Sequence, residues 1–251
     1  MSPSAIVAIV FAFLILAVML GMTMSGRLAE HHLSSESRDT VKLALGLVAT
    51  LAALLLGLLV SSAKDAFDAE REQVNALAAK VATLDRALAL YGAEAAGAQS
   101  ELRAVIQGAI AQAWATGDGS ISNLNFDERR GQNILRAIQQ LQPTDEAQAD
   151  VKARATDLAF ELIEGRSLLV ALAAGGVSVP VLILVVSWLV VILFGFSLLA
   201  PRNAVTAVAL IVSAAAVCGA VLLLLEFYRP FDGLIRISSD PLLIAIGEPV
   251  R

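Results

Sequence analysis

Four stretches of this 251-residue chain contain no Asp, Glu, Lys or Arg, and they constrain its fold more than any other feature. They cover residues 1–26, 43–63, 167–201 and 203–225. A helix rises about 1.5 Å per residue and must cross about 30 Å of hydrocarbon, so about 20 apolar residues make one span. Each stretch reaches that length. The sequence therefore predicts an all-α, polytopic membrane protein with four transmembrane helices, surrounded by a lipid bilayer.

Composition excludes several classes of function. The chain is 57% hydrophobic and carries a net charge of -5, without the clustered basic surface that nucleic-acid binding requires. Its two histidines, His31 and His32, are adjacent and would point about 100° apart on a helix, which suits neither one metal ion nor one active site. We interpret them as a solvated pair, with pH sensing as the alternative. Cys218 is the single cysteine. We therefore expect no enzyme activity, no metal site and no cofactor.

The charge pattern divides the chain into four parts. Residues 1–62 hold transmembrane helices one and two, and residues 63–176 form a helical extramembrane domain inserted before helix three. Residues 177–228 form a transmembrane hairpin of helices three and four, because only a very short turn separates them. Residues 229–251 form a C-terminal tail, partly amphipathic, that lies along the domain or embraces a neighbouring subunit.

Helix two shows no stop signal where its charges begin, so we expect it to continue into the extramembrane domain. Its apolar residues there follow a heptad pattern, interrupted by Glu70, that is typical of a helix-packing seam: Phe67, Val74, Leu77, Val81, Leu84, Leu88 and Tyr91. Three more amphipathic helices are predicted over residues 99–114, 127–141 and 144–164, the last beginning at Thr144. These helices indicate a bundle.

Helix two also carries a stripe of small residues within its membrane part. Gly46, Ala49, Ala53 and Gly57 follow one another at spacings of three, four and four, so they share one face. Such stripes allow close packing of helices in lipid. They also leave room for a permeating species, which makes these four residues pore-lining candidates. The sequence leaves both interpretations open.

Three charged residues near the two ends of helix four are ion-entrance candidates. Glu226 follows a run of four leucines at the end of helix four, where an ionisable group is costly unless it is paired or hydrated. Arg229 lies three residues further on and could pair with it, which gives a structural alternative. Arg202 lies in the turn between helices three and four and could attract anions or anchor the hairpin in headgroups.

Four spans place both termini and the extramembrane domain on one side of the membrane. The basic residues near span ends on that side slightly outnumber those on the other: Lys64, Arg71, Arg154, Arg166, Arg229 and Arg236 against Arg27, Arg38, Lys42 and Arg202. The positive-inside tendency then predicts that the domain and both termini are cytoplasmic.

Two blocks of sequence resemble a known family. GLVATLAALLLGLLVSSAKDAFD with LDRALALYG, and FGFSLLAPRNAV with LLLLEFYRPFDGLIRISSDPL, are similar to a bacterial membrane family of uncharacterised function that is described as bestrophin-like. The likeness extends from Leu43 to Leu243 and implies a location in the inner membrane of a bacterium. Bestrophins are pentameric anion channels, many of them gated by calcium. PFDG at residues 230–233 faintly resembles their clasp segment, although Asp232 is its only carboxylate.

The resemblance and the small-residue stripe together predict a homo-oligomeric membrane channel, for small anions, in which helix two of each subunit lines a largely apolar pore. A pentamer is implied by the resemblance alone. The alternative is a non-conducting scaffold or sensor that recruits a helical partner through the seam of its extramembrane domain.

Overall fold

The computed structural model describes residues 2–25, 35–115, 128–175 and 179–249. These residues form helices and no strand, which confirms the all-α fold class. The helices are α1 (Pro3–Ser25), α2 (Ser35–Tyr91), α3 (Ala96–Ala115), α4 (Glu128–Gln139), α5 (Glu146–Ala173), α6 (Val179–Leu199), α7 (Ala204–Phe227) and the short α8 (Asp240–Ala245). Within the described ranges, α1, α2, α6 and α7 are long and apolar enough to cross a membrane.

The chain divides into two compact units. The membrane unit comprises Met1–Asp65 and Val177–Tyr228, and the bundle unit comprises Ala66–Gly176 and Arg229–Arg251. Helix α2 contributes its first part to the membrane unit and its second part to the bundle unit, because it runs without a break for 57 residues. Gly92 follows it with a φ of 119°, a left-handed conformation that favours glycine and ends the helix.

The core of the membrane unit is made by side chains from all four long helices, including Leu14, Ala52, Val185 and Val221. Helix α1 approaches α6 so closely that a Cβ built on Gly21 would lie 1.8 Å from Ser197 Oγ and 2.7 Å from the carbonyl oxygen of Phe194. Ser197 is fully buried there, and its hydroxyl donates to that same carbonyl. Only glycine at position 21 permits this contact, as is common between membrane helices.

The bundle unit has a second core, in which the predicted seam of α2 packs. Leu84, Leu88 and Tyr91 are buried against residues of α3, α4 and α5 that include Leu102, Ile138, Ala155 and Leu158. The heptad pattern therefore describes contacts within this chain. Trp114, near the end of α3, binds the tail: its Nε1–H donates to the Ile237 carbonyl (2.7 Å), and its ring meets Phe231 edge-on at 5.0 Å.

Helix α5 corrects two details of the sequence analysis. The helix begins one residue after Asp145, whose side chain accepts a hydrogen bond from the Gln148 N–H (2.7 Å), so Asp145 and not Thr144 is the N-cap. The predicted end at Glu164 is also wrong, because α5 continues to Ala173. Its last turns stay helical because Leu169 and Ala173 are buried. The third charge-free stretch is thus shared between α5 and α6.

Candidate functional site

The membrane part of α2 presents three distinct sides. Its inner side is buried in the membrane unit and consists of Leu45, Ala52, Leu56 and Ala63. A leucine stripe is exposed on the other side of the helix; its members, Leu43, Leu47, Leu51, Leu54 and Leu58, are spaced by four, four, three and four residues. At about 100° per residue, the leucine stripe lies roughly 160° from the inner side.

The small-residue stripe forms the third side, a flank roughly 90° from the inner side by the same helical rotation. Gly46 and Gly57 have no other atom within 4 Å of an added Cβ. Ala53 is exposed and Ala49 is half-buried. The fold therefore brings the four predicted residues together, but gives Gly46 and Gly57 no close neighbour among the described residues. Close packing inside the subunit does not explain why these positions are small.

Glu226 and Arg202 belong to opposite ends of the α7 region. Glu226 is 5% exposed, at the carboxyl end of α7. Arg202 precedes the N-cap Asn203, and its guanidinium donates to the Thr23 carbonyl near the end of α1. Glu226 lies 24 positions after Arg202 along a mostly helical chain, or roughly 35 Å at 1.5 Å per residue. These two candidates cannot serve the same entrance of one subunit.

Arg229 lies in the bundle unit, where its guanidinium forms an ion pair with Asp232 at 3.7 Å. Asp232 belongs to the PFDG segment, so this pair occupies the only carboxylate of that segment. Within the described residues, no group of three or more His, Cys, Asp or Glu side chains is arranged to hold a metal ion. His31 and His32 lie outside the described residues.

The tail lies along its own bundle unit, with Ile237, Leu242 and Ile246 buried. The Gln107 side chain donates to Glu248 (3.0 Å), which ties the end of the tail to α3. Trp114 was not among the predicted residues, since no local pattern marks a side chain whose partner is 123 residues away. The leucine stripe was also missed, although its regular spacing is visible in the sequence.

Comparison with known proteins gives the class of this protein. The model of the bestrophin-like domain matches residues 12–242, nearly the whole chain, so the chain belongs to the bestrophin-like family. It is a membrane protein with that family's four-span helical fold. No curated protein matches the sequence.

Two solved structures are similar over almost their entire lengths. One is a crystal structure of a bacterial bestrophin homolog from Klebsiella pneumoniae with the mutation W252A, at 15% identity and a TM-score of 0.69, with 99% of each chain covered. The other is a crystal structure of a membrane protein carrying G264A, at 16% identity and a TM-score of 0.68, with 96% of this chain and 99% of that chain covered. At these identities the likeness establishes the fold.

Proposed function

We propose that the protein is a homo-oligomeric ion channel for small anions, in which α2 of each subunit lines the pore. The observation that carries the proposal is the open small-residue flank of α2, where a Cβ added at Gly46 or Gly57 would meet nothing within 4 Å. Membership of the bestrophin-like family supports it. An apolar lining is compatible with conduction, because hydrophobic constrictions gate pores by dewetting.

A ring of subunits gives both outward sides of α2 a role. One side lines the central hole, and the other contacts lipid or the neighbouring subunit. We assign the lining to Gly46, Ala49, Ala53 and Gly57, whose small side chains leave space for an ion. The leucine stripe then provides the large apolar surface that suits a neighbour or lipid. Five subunits are proposed by analogy with bestrophins.

Conduction is tested with purified protein in planar lipid bilayers. We expect currents carried by chloride and nitrate, with a reversal potential that follows the anion gradient. Silent bilayers in chloride, nitrate, sodium and potassium salts, from protein that is folded and oligomeric, would contradict the proposal.

Cysteine substitution tests the assignment of the lining. In a Cys218→Ser background, Gly57→Cys and the adjacent Leu58→Cys provide a matched pair, because both positions are exposed but on different sides of α2. A charged, membrane-impermeant thiol reagent should block current through Gly57→Cys and leave Leu58→Cys conducting. Block at position 58 alone would transfer the lining to the leucine stripe.

Glu226 and Arg202 are proposed to act at opposite ends of the pathway, with Arg229 on the same side as Glu226. Glu226→Gln is expected to change conductance, since it removes a negative charge from a nearly buried position without changing its shape. Unchanged conductance together with unchanged assembly would remove Glu226 from the pathway. Arg202→Gln should shift anion preference if Arg202 attracts anions, and only hairpin stability if it anchors the end of α1.

The alternative function is a non-conducting scaffold or sensor. Particle images of the detergent-purified protein separate the two functions, because a closed ring around a continuous hole supports a channel and a monomer or dimer supports a scaffold. The seam of α2 is already occupied by α3, α4 and α5, which makes recruitment of a partner helix through that seam the weaker proposal.

We also propose that the bundle unit and both termini are cytoplasmic. The substitution Ser122→Cys, between the predicted helices over residues 99–114 and 127–141, reports the side directly when Cys218 is replaced by Ser. It should resist a membrane-impermeant thiol reagent in intact cells and react after lysis. Prompt labelling in intact cells would reverse the topology.

A further inference from the structure

A carboxyl group is buried in the seam of the bundle unit. Glu70 lies on α2 between Phe67 and Val74, at a position that the heptad pattern assigns to packing. It is only 6% exposed, and its Oε2 has no hydrogen-bond partner among the described residues. Position 70 is seven residues beyond the last position of the charge-free stretch of α2, and it belongs to the bundle unit. Buried carboxyls are costly unless paired or protonated.

The partner helix offers Glu70 an apolar surface. Helix α5 runs antiparallel to α2, because Gln73 Nε2 donates to the Gly165 carbonyl (2.8 Å) and Lys80 pairs with Glu161 (3.3 Å). Continuing this register by one turn places Glu70 opposite about residue 169 of α5. Leu169 is buried, and no charged residue occurs on α5 after Arg166.

Charged residues also occur near this part of the seam in the sequence. The nearest in sequence on each element are Asp68 and Arg71 of α2, Glu164 and Arg166 of α5, and Arg229 and Asp232 of the tail. Burial, and not any of these charges, raises the pKa of Glu70 from its ordinary value of 4.5 to about 7. The carboxyl therefore changes charge near neutral pH.

A cavity of about 280 Å³ begins one turn from Glu70. Val74 of α2, Val170 of α5, Trp114 of α3 and Phe231 of the tail line it with other mainly apolar side chains, and Gln132, Arg166 and Ser167 also line it. Polar side chains in the lining allow water to occupy this space. An ionised carboxylate one turn away attracts that water along the seam, because a buried charge without a partner is costly.

We propose that Glu70 is a proton-controlled switch of the bundle unit. When the carboxyl is neutral, the α2–α5 seam is closed. When it is ionised, water reaches the carboxylate from the neighbouring cavity, and the packing of α2 against α5 and the tail loosens. This switch belongs to the bundle unit and does not require that the protein conducts ions.

The direction of the pH effect follows from proton linkage. The folded unit binds the Glu70 proton more tightly than the unfolded chain, so the closed seam is most stable below pH 4.5. The stability of the closed seam falls as pH rises from 4.5 to about 7, and the loss of stability is complete above about pH 7. Alkaline conditions therefore open the switch.

Trp114 reports the switch because it lines the cavity and is one of only two tryptophans. In a Trp188→Phe background in lipid nanodiscs, we expect its emission to shift to the red between pH 5.5 and 8.5, with a midpoint near pH 7. Glu70→Gln should hold the low-pH emission throughout. Glu72→Gln, which removes an exposed charge two residues away, should keep the transition.

Two outcomes would overturn the proposal. The first is Trp114 emission that does not change with pH in the protein that retains Glu70, and the second is an unchanged transition in Glu70→Gln. The second outcome would assign the transition to another group, such as the histidine pair, which every variant retains. Hydrogen exchange of α5 is a second test of the switch, and it uses the protein without a substitution at position 70. After correction for intrinsic rates, residues 165–173 should exchange faster at pH 8 than at pH 6, and equal exchange would also contradict the switch.

Discussion

The two parts of helix α2 use their apolar residues in opposite ways. In the bundle unit, Leu84 and Leu88 are buried in a core that the same chain completes. In the membrane unit, most leucines of α2 point away from the subunit, and Leu58 is 68% exposed. In water such exposure would favour aggregation, but in lipid it has no comparable cost.

The difference shows where the stability of each part originates. The second part of α2 is held by burial of apolar area, worth about 25 cal/mol per Å² removed from water. The first part is held by the bilayer and by a few close contacts on its inner side, which leaves its outward sides available for function. Substitutions on the two parts should therefore have very different effects on folding.

The largest effect is expected from Leu84→Ala, which removes a fully buried side chain from the bundle core. The loss of transfer free energy and the cavity left behind should lower the free energy of unfolding by about 2–5 kcal/mol. Urea unfolding followed by Trp114 emission, in a Trp188→Phe background, measures it. Leu90→Ala is the control, because Leu90 is 80% exposed six residues further along the same helix. Similar losses at both positions would contradict the assigned seam.

A smaller loss of stability is expected in the membrane unit, where adding one methyl group tests a contact between helices. Gly21→Ala would overlap Ser197 and the Phe194 carbonyl, and should destabilise the unit by about 1–3 kcal/mol. Gly57→Ala enters open space and should leave the folding of the subunit unchanged. Cys218 is buried in α7, so its reaction with a thiol-sensitive dye on heating reports unfolding. Equal melting of the two variants would show that α1 and α6 are not closely packed.

The four membrane helices could be predicted because the bilayer imposes a local rule: about 20 residues without charge. Absence of charge alone does not set the start of the third span, because the last turns of α5 carry no charge and yet belong to the bundle unit. A charge-free segment is compatible with a lipid environment and with a protein core. The last turns of α5 belong to the core because they are part of the bundle unit, where Leu169 and Ala173 are buried.

The candidate site was less predictable for a physical reason. All sides of the membrane part of α2 are apolar, so polarity does not mark which side faces the subunit core. The small-residue stripe could be identified from spacing, but its position on an open flank depends on α1, α6 and α7. Likewise, the pairing of Arg229 with Asp232 and the separation of Arg202 from Glu226 follow from the fold. The three-residue spacing of Arg229 and Asp232 permits their pairing, but the same spacing separates Glu226 from Arg229, so the sequence does not choose between the two pairs.

The smallest effect is expected at the contact that fixes the tail to the bundle unit. Trp114→Phe keeps an aromatic ring near Phe231 but removes the N–H that donates to the Ile237 carbonyl. Loss of one such hydrogen bond should cost about 1 kcal/mol. Because the tail is held by few contacts, the cost should be local. Hydrogen exchange of residues 236–246 should rise several-fold, while that of the α2 seam stays unchanged.

Leu234→Ala is the matched control for the tail, because Leu234 is 82% exposed in the same segment. It should leave exchange in residues 236–246 at the level of the unmodified protein if the tail is held within its own subunit. Faster exchange in the Leu234→Ala oligomer, absent from the dissociated subunit, would instead show that the tail contacts a neighbour. The tail would then resemble the membrane part of α2, with apolar residues that are exposed in one subunit and covered in the assembly.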